Sequence, residues 1–475
     1  MSRIIILGGG VAGAEAGTLI GTHADSHITI IEIECDPARK FGGWGFQEFP
    51  ITEHTNLALR KMYLGENENE IINWAQSPEN RSDWPDEFKN LELQKDSIFP
   101  RVLMKKYVEW RRNQVSNPLV TYESICGEGV AVTVVEDAGE VQVTLSSGEV
   151  ITGDRLVMAS GSISVKIPSY LEHLAGHRRV IMDPLVREGH EQRAIIPKHV
   201  RTLVLGTGLT GEEQVNILLH AGHRNVTLLS REGRRHYAYP RAQTNKPLVL
   251  DRRPEFLLAE TPEEFAEELN FFYAAHLANG HTHEDILAAV RPHWEGLRKS
   301  LGGCEQAVKR IGRFKRSLAV SSIGISYESA ANTDIALSDG RLAVLSGHIT
   351  AVREKDGEFV VEASESRGGP VSSITSYDYI INAVGRNIIR HPVWQQMMVD
   401  GLATKHASIG VQVNEHGQML RRDGSFSSQI YVVGMPRAGD HAFRHGYLGN
   451  TAFNVPQIRT HVASTMLALL KKLRR

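Results

Sequence analysis

The chain has 475 residues, 41% of them hydrophobic, which predicts about two to four domains with apolar cores and excludes a largely disordered chain. Its 53 Lys and Arg residues nearly balance its 55 Asp and Glu residues, so its overall charge argues against a nucleic-acid partner or an anionic membrane surface. Small molecules are therefore the expected ligands.

The N-terminus leaves no room for a signal peptide, because the first predicted strand begins by Ile4. No uninterrupted apolar run approaches the ~20 residues of a membrane span, so we expect a cytoplasmic protein without membrane contact. Cys35, Cys126 and Cys304 are far apart in the sequence and show neither a C-x-x-C pair nor metal-ligand spacing. They predict reduced thiols, no metal site and no disulfide-exchange chemistry.

The first predicted element is a buried strand that runs into a glycine turn and a helix, over residues 4–17. Gly8, Gly10 and Gly13 fill the pattern G-x-G-x-x-G. In a dinucleotide site these glycines allow the tight turn, the approach of the backbone to a pyrophosphate, and close packing of the helix on the strand. The pyrophosphate would rest on the helix N-terminus, where unpaired amides and the helix dipole favour an anion.

A second buried strand follows at residues 28–34 and carries two acids near its end. In dinucleotide-binding units an acid at about this distance from the glycines hydrogen-bonds a ribose hydroxyl. Glu32 is preferred because its carboxylate ends the apolar run, and Glu34 stays open as the alternative. Strand, glycine turn, helix, strand and acid together predict a dinucleotide site.

Glycines among aromatic residues at 40–46, with residues 53–63 after them, predict a loop that passes close to a bound ring system. Asn56 could hydrogen-bond that ring, and a structural asparagine in a turn is an equally good interpretation. We keep Asn56 among the candidate cofactor contacts.

Two later segments share one plan, which predicts two nucleotide-binding units. In residues 119–161 and 341–385, apolar and polar residues alternate as in β-strands. Each segment ends in a predicted buried strand followed by small residues and a glycine, Gly161 in the first and Gly385 in the second. A glycine at that point lets the backbone come close to a ligand.

The second unit begins at residues 200–211, where a strand enters another G-x-G-x-x-G at Gly206, Gly208 and Gly211. Its helix leads to a further strand at residues 225–231. The same order of strand, glycine turn, helix and strand predicts a second dinucleotide.

The ribose-binding position of the second unit holds no acid. Ser230 and Arg231 stand where Glu32 stands in the first unit, and Arg234 follows. Guanidinium groups pair with the 2′-phosphate of NADP in a bidentate fork, whereas an acid would repel it. We therefore expect NADPH rather than NADH, with solvated loop arginines as the alternative.

The rest of the chain offers fewer motifs. Helix formers at helical spacing over residues 254–318 predict a helical insertion that covers the cleft, and residues 364–370 predict a plain hairpin turn. A strand that ends at Gly434 is expected to return to the sheet of the first unit and to press its backbone against the first cofactor. Four polar residues would then face a substrate cavity, each with a structural role as the alternative: His441, Arg444, His445 and Asn450.

With two dinucleotide motifs, two closing strands and the strand at Gly434, the chain resembles the two-dinucleotide-binding-domain flavoproteins, which bind FAD first and a nicotinamide second. More narrowly it resembles the bacterial FAD/NAD(P)-binding oxidoreductases that include flavin-dependent urate hydroxylase-type and amino-acid N-hydroxylating monooxygenases. The residues that carry this likeness are 53–62, 99–103, 183–184 and 206–211. It implies that Gly8, Gly10, Gly13 and Glu32 bind FAD and that Gly206, Gly208, Gly211 and Arg231 bind NADPH.

Two features depart from the family pattern. Many relatives place an Asp directly after the glycine of the last strand to hold the flavin's ribityl chain, but here Met435 follows Gly434. Flavin contact at this point must therefore differ. The F-x-G-x-x-x-H fingerprint of Baeyer–Villiger monooxygenases is also absent, which argues against ketone oxidation.

The predicted fold is α/β, with two Rossmann-like dinucleotide-binding domains, for FAD and for NADP, and a helical insertion. The expected boundaries are residues 1–165 for the first part of the FAD domain, 166–196 for a linker, 197–375 for the NAD(P) domain with its insertion, and 376–475 for the second part of the FAD domain.

The expected function is that of an FAD-dependent, NADPH-using monooxygenase that inserts one oxygen atom from O2 into a small polar substrate. N-hydroxylation of an amine or amino acid is the reaction that we expect first. Because the cofactor carries the chemistry, no catalytic triad or metal cluster is required. Two alternative functions stay open: a flavin reductase or dehydrogenase without oxygen insertion, and a non-catalytic nucleotide-binding sensor. The protein could also form a homo-oligomer.

Overall fold

The computed structural model describes residues 2–47, 53–161, 164–231, 233, 235–238, 247–259, 261–281, 285–286, 288–290, 292–293, 324–407, 409–445 and 455–474. The strands of the described residues, in chain order, are β1 (Ser2–Leu7), β2 (Ile28–Glu34), β3 (Val120–Cys126), β4 (Gly129–Val135), β5 (Glu140–Leu145), β6 (Val150–Gly153), β7 (Arg155–Met158), β8 (Ser164–Val165), β9 (Val180–Ile181), β10 (Thr202–Leu205), β11 (Val226–Ser230), β12 (Tyr237–Ala238), β13 (Gly324–Ile325), β14 (Leu342–Ser346), β15 (His348–Lys355), β16 (Glu358–Ser364), β17 (Ser373–Tyr377), β18 (Tyr379–Asn382), β19 (Arg386–Asn387), β20 (Gln418–Leu420) and β21 (Phe426–Val432).

The helices of the described residues are α1 (Val11–His23), α2 (Asn69–Gln76), α3 (Pro78–Arg81), α4 (Arg101–Asn113), α5 (Ser169–Glu172), α6 (Arg187–Ala194), α7 (Leu209–His220), α8 (Pro262–Ala278), α9 (Tyr327–Ser338), α10 (Pro392–Val399), α11 (Ala438–His445) and α12 (Val455–Leu473). In this part of the chain no helix combines the length and apolar character that crossing a membrane requires.

The first unit is built on a six-stranded sheet in the order β20-β21-β7-β1-β2-β3. β1 pairs in parallel with β2 and with β7, and β21 joins β7 in parallel. Side chains alternate between the faces of a strand, so Ile4 and Ile6 enter one core cluster and Ile5 and Leu7 enter another. Helices α1, α4 and α12 supply the first cluster. Because both faces are covered, the buried positions of β1 are all apolar.

The second unit is built on five parallel strands in the order β14-β11-β10-β18-β9. Helices α7 and α9 cover one face, where Val215 and Ala336 pack with Val204 and Leu228. The expected α/β fold with two Rossmann-like sheets is confirmed.

The pairing of two strands corrects the predicted domain boundaries. β9 lies inside the segment predicted as a linker, residues 166–196, yet it pairs with β18 at the edge of the second sheet. β18 itself pairs with β10, although the boundary predicted at residue 376 assigned it to the first unit. The chain passes between the units at β8 and β19, which pair with each other in antiparallel fashion.

Two antiparallel meanders lie beside the main sheets. β4, β5 and β6 pack on α10 in one core cluster of the first unit, and β15, β16 and β17 pack on the second sheet. Of the predicted insertion over residues 254–318, the structure describes α8 and short flanking pieces, and residues 294–318 lie outside the described part.

Candidate functional site

A single cavity of about 1510 Å³ lies between the two glycine turns and is lined by residues of both units. Gly8 and Gly10 form one end of its wall, and Gly206 and Gly208 form another. Pockets for single small molecules usually measure about 300–1,000 Å³. The cavity is therefore large enough for more than one ligand.

The glycine turn of the first unit requires glycine for steric reasons. Gly8 has a φ of +110°, and a Cβ atom there would overlap the carbonyl oxygen of Ala159. A Cβ atom on Gly13 would overlap the carbonyl oxygen of Gly8, and one on Gly10 would lie 3.0 Å from the Gly43 Cα atom. The turn thus brings the end of β1, the start of α1 and a neighbouring loop together as a bare backbone surface.

The helix after this turn is ready to receive an anion. α1 begins directly after Gly10, and no side chain caps its first turn. The first N–H groups of a helix have no partner within the helix and carry the positive end of its dipole. A pyrophosphate at the cavity wall would satisfy them.

Of the two candidate acids, Glu34 lies at the cavity, which favours it over Glu32 as the proposed ribose ligand. Glu34 lines the cavity, and its Oε2 accepts a hydrogen bond of 2.8 Å from the Gly9 N–H group. Glu32 is buried away from the cavity, where its carboxylate pairs with Arg112 at 3.0 Å and with Lys40 at 3.3 Å. Glu32 and Glu34 lie on the same face of β2, so their position along the strand explains the difference. Glu34 is the last residue of the strand and reaches the glycine turn, whereas the carboxylate of Glu32 pairs within the packed interior.

The second glycine turn repeats the geometry of the first. Gly206 has a φ of +102°, and a Cβ atom there would lie 2.6 Å from the Ala383 carbonyl oxygen. A Cβ atom on Gly211 would overlap the Gly206 carbonyl oxygen. α7 begins directly after Gly208, again without a side-chain cap. A second anion site is therefore built in the same way.

The strand end of the second unit carries cationic side chains in place of the acid. Ser230 and Arg231 both line the cavity. The Ser230 hydroxyl accepts a hydrogen bond of 3.0 Å from the Gly233 N–H group, which shapes the loop. Arg231 is exposed, and the described residues give it no ion pair. The predicted contact Arg234 lies outside the described residues.

Arg367 is a cavity-lining residue that the sequence analysis missed. It belongs to the loop between β16 and β17, which was predicted as a plain hairpin turn, and it lines the same cavity as Arg231. The two residues are 136 positions apart in sequence, and the packing of the meander on the second sheet brings both to this cavity. No local pattern signals that approach.

The closing glycines predicted from the sequence all line the cavity. Gly161, Gly385 and Gly434 have φ values of +68°, +105° and +75°, a region that favours glycine. The Gly434 N–H group donates to Nε2 of the buried His461 at 2.7 Å. Asn56 also lines the cavity and is half-buried.

The predicted substrate residues are not brought to the cavity by the structure. His441 is buried in α11 against the ring of His461, with 5.6 Å between ring centroids. Arg444 pairs with Asp440 at 2.8 Å and donates to the Val413 carbonyl oxygen. Neither is among the residues that line the cavity, so the structure gives no support to the prediction that they contact a substrate there. The side chain of His445 and the whole of Asn450 lie outside the described residues.

Trp44 lies in the glycine-rich loop at residues 40–46 and lines the cavity. Its ring lies between two guanidinium groups, with Arg39 at 3.6 Å and Arg386 at 3.9 Å from the ring centroid. Arg386 is itself held by both carboxylate oxygens of Asp183 at 2.6 and 2.7 Å. The ring is thus fixed at the point where the first unit meets the connecting strands.

Disulfide and metal chemistry have no support in the described residues. Cys35 and Cys126 form no disulfide, and Cys304 lies outside the described part. Burial and the neighbouring Glu34 raise the pKa of Cys35 to about 12, so its thiol stays protonated at neutral pH. Nowhere in the described ranges do three or more His, Cys, Asp or Glu side chains form a group that could hold a metal ion.

The residues present fit two dinucleotides in one cavity. The N-termini of α1 and α7 face the cavity, and neither has a side-chain cap. Each helix follows a glycine turn in which an added Cβ atom would overlap neighbouring backbone atoms. A carboxylate stands at one strand end and a guanidinium at the other. This donor set matches a ribose with free hydroxyls in the first unit and a 2′-phosphate in the second.

Comparison with known proteins gives one family and several structures. The family model described as pyridine nucleotide-disulphide oxidoreductase matches residues 2–279. A search of curated proteins finds no match.

Three solved structures share the fold at low sequence identity. An ornithine N-hydroxylase from Kutzneria sp. 744, described with reduced FAD, NADP+ and L-ornithine, is 14% identical over 100% of both chains, with a TM-score of 0.60. L-lysine 6-monooxygenase from Pseudomonas syringae is 15% identical over 99% of each chain, with a TM-score of 0.58. Cyclohexanone monooxygenase from Rhodococcus sp. Phi1, bound to NADP+, is 14% identical over 99% of this chain and 85% of that chain, with a TM-score of 0.53.

These matches confirm the predicted fold and the resemblance to amino-acid N-hydroxylating enzymes. The urate hydroxylase part of that resemblance stays a prediction.

Proposed function

The chain belongs to the pyridine nucleotide-disulphide oxidoreductase family, and on that premise we propose that it is an FAD-dependent monooxygenase that uses NADPH. One observation carries this proposal: two glycine turns face a single cavity, with Glu34 at the strand end of the first unit and Arg231 at that of the second. When bound, FAD would supply the redox chemistry: NADPH would provide the two electrons as hydride, one atom of O2 would pass to the substrate, and the other would leave as water.

The first unit holds FAD through backbone and one carboxylate. The uncapped start of α1 receives the pyrophosphate, and Glu34 accepts hydrogen bonds from the ribose hydroxyls. The hydrogen bond from Gly9 to Glu34 orients that carboxylate before the cofactor arrives. Gly161 and Gly434 present bare backbone to the flavin end, since a side chain at either φ value would be strained.

The second unit holds NADPH through Ser230 and two arginines. Arg231 and Arg367 approach the 2′-phosphate from different elements, so the phosphate completes a site that neither element forms alone. Arg234 remains a proposed third contact. The absence of an acid at the end of β11 removes the repulsion that would select NADH.

Apolar residues that line the cavity exclude water. Leu57, Met62, Met435, Val455 and Ile458 give the first unit's side of the cavity an apolar surface. Such a surface keeps water from the reacting centre and prevents loss of the activated oxygen to solvent. The last two of these residues belong to the terminal helix, which the sequence analysis assigned no role at the site.

Amines or amino acids are the proposed substrate class, with hydroxylation at nitrogen. Ornithine and lysine are the substrates named for two proteins that share this fold over nearly their whole length. The absent Baeyer–Villiger fingerprint argues against the ketone substrate of the third.

The proposal is tested by reconstituting the purified protein with FAD and following NADPH oxidation with a panel of amines, amino acids and cyclic ketones. We expect retained FAD, NADPH oxidation stimulated by an amine, and a product that carries one atom of isotopically labelled O2. Stoichiometric hydride transfer without label in the product would instead identify a reductase or dehydrogenase. Retained FAD with no NADPH oxidation under any condition would identify a nucleotide-binding sensor.

A further inference from the structure

Four charged residues with little exposed surface lie where the two units and the connecting segment touch. Glu53 and Arg101 belong to the first unit, Glu213 lies on α7 of the second unit, and Arg193 lies on α6 between them. Their side chains are between 5% and 19% exposed. Charged side chains with so little exposure are rare unless they are paired.

Arg101 is the centre of this cluster and is fixed by three contacts in the first unit. Its backbone N–H group donates to the Glu53 carbonyl oxygen at 2.9 Å, and its Nε donates to the His54 carbonyl oxygen at 2.9 Å. Its Nη1 lies 3.9 Å from the carboxylate of Glu53. The remaining nitrogen, Nη2, forms a hydrogen-bonded ion pair with Glu213.

Helix α6 also contacts α7 of the second unit, next to Glu213. The guanidinium of Arg193 donates to the side-chain oxygen of Gln214, the neighbour of Glu213 on α7, and lies 2.7 Å from Nδ1 of His190. Burial and Arg193 lower the pKa of His190 to about 3, so its ring is neutral and accepts this hydrogen bond. Three separate segments of the chain therefore meet at one turn of α7.

The ion pair also belongs to the cofactor cavity. Arg101 and Glu213 both line it. Glu213 follows Gly208 by just over one helical turn, so any shift of α7 at Glu213 carries the second glycine turn with it. Since Arg101 opens α4 in the first unit, its contact with Glu213 fixes one phosphate-binding turn relative to the other.

We propose that the ion pair between Arg101 and Glu213 is a positioning contact that sets the distance between the nicotinamide and the flavin for hydride transfer. This inference rests on the proposed function. Neither residue takes part in the chemistry. Each acts by holding its own unit in register with the other, and a misplacement of about 1 Å between reacting groups can lower a rate by roughly 100-fold.

The test compares E213Q and R101K with the wild type and with E358Q, a control that removes one partner of the exposed Arg201–Glu358 ion pair at the surface. Reduction of the enzyme-bound flavin by NADPH is followed by stopped flow, giving the limiting rate and the NADPH dissociation constant separately. We expect the limiting rate to fall about 10- to 100-fold in E213Q and less in R101K, with little change in the dissociation constant. The control should match the wild type.

A second readout does not depend on turnover. Dithionite-reduced enzyme mixed with NADP+ should show a long-wavelength charge-transfer absorbance band where nicotinamide and flavin stack, and this band should weaken in E213Q. The exchanged pair R101E/E213R should recover part of both signals, because it restores opposite charges at the contact.

Each outcome bears on a separate claim. An unchanged limiting rate and an unchanged band in E213Q would overturn the positioning role and leave the proposed function intact. Loss of FAD or of thermal stability in step with the rate would also overturn it, since that pattern belongs to a general structural contact. Wild-type protein that retains no FAD, or is not reduced by NADPH, would instead overturn the proposed function.

Discussion

The two glycine turns of this molecule have nearly the same backbone conformation, but the side chains beside them carry opposite charges. Gly8 and Gly206 have φ values of +110° and +102°, and both lead to a helix without a side-chain cap. In the first unit the neighbouring strand ends in Glu34, whereas in the second it ends in Ser230 and is followed by Arg231. The backbone therefore provides a general pyrophosphate site, and one or two side chains determine which nucleotide it accepts.

We expect the largest effect from substitution of the two glycines that let the helix pack on the strand, Gly13 and Gly211. G13A and G211A place a Cβ atom against the carbonyl oxygen of Gly8 and Gly206, respectively, so each should distort only its own turn. We expect G13A to weaken FAD binding about 100-fold, and G211A to weaken NADPH binding by a similar factor while FAD is retained. Flavin content after gel filtration and NADPH titration measure the two effects. Loss of both ligands in either variant would contradict separate sites.

The arginines of the second unit should determine coenzyme preference. R231A should raise the KM for NADPH roughly 30-fold, because it removes a charge-assisted contact with the 2′-phosphate, and should leave the KM for NADH nearly unchanged. R367A should act in the same direction by a few-fold, since its loop is exposed. Steady-state kinetics with both coenzymes separate these effects. Equal changes for NADPH and NADH would defeat the assignment of both arginines.

The two acids of the first unit provide a sharper contrast within one strand. E34Q should weaken FAD binding about tenfold, because a ribose hydroxyl loses a charged acceptor. E32Q should lower the melting temperature instead, since Glu32 pairs with the buried Arg112, and should leave the FAD affinity unchanged. FAD titration of the apoprotein and thermal unfolding distinguish the two. The reverse pattern would restore Glu32 as the ribose ligand.

The junction between the units should respond to pH. Burial and the nearby Glu213 raise the pKa of Glu53 from 4.5 to about 7, with Arg101 and Arg193 opposing the shift. The folded state therefore favours the protonated carboxyl, and stability is lost as the pH rises from about 4.5 to about 7. E53Q should be more stable than the wild type by about 1 to 3 kcal/mol at pH 8 and equally stable at pH 4 to 5. Denaturant unfolding at both pH values measures the difference, and a constant offset would contradict the shifted pKa.

The local patterns of the sequence were sufficient for the fold and for the glycine turns. Gly8, Gly10, Gly206 and Gly208 line the cavity where their spacing predicted a phosphate site, because a strand–turn–helix motif is closed by contacts among a few consecutive residues. The strand that ends before Gly434 also returned to the first sheet, where its apolar run is buried.

Residues whose role depends on distant packing were not predictable in this way. Glu32 was preferred to Glu34 because it ends the apolar run, yet its carboxylate pairs with Arg112, which comes from a distant helix. His441 and Arg444 were predicted to face a substrate cavity, whereas the packing of α11 places them against His461 and Asp440. The boundary predicted near residue 376 took no account of the pairing of β18 with β10, because that pairing joins segments far apart in the chain.

The sequence by itself therefore determined two dinucleotide-binding units and the charge beside each turn, since these depend on spacing and residue type within short stretches. Only the tertiary structure decided that the two turns share one cavity, that Arg367 lines the same cavity as Arg231, and that Arg101 meets Glu213. Each of these arrangements joins segments separated by more than a hundred residues. Their geometry depends on how the sheets and the connecting strands pack, so local sequence patterns do not predict it.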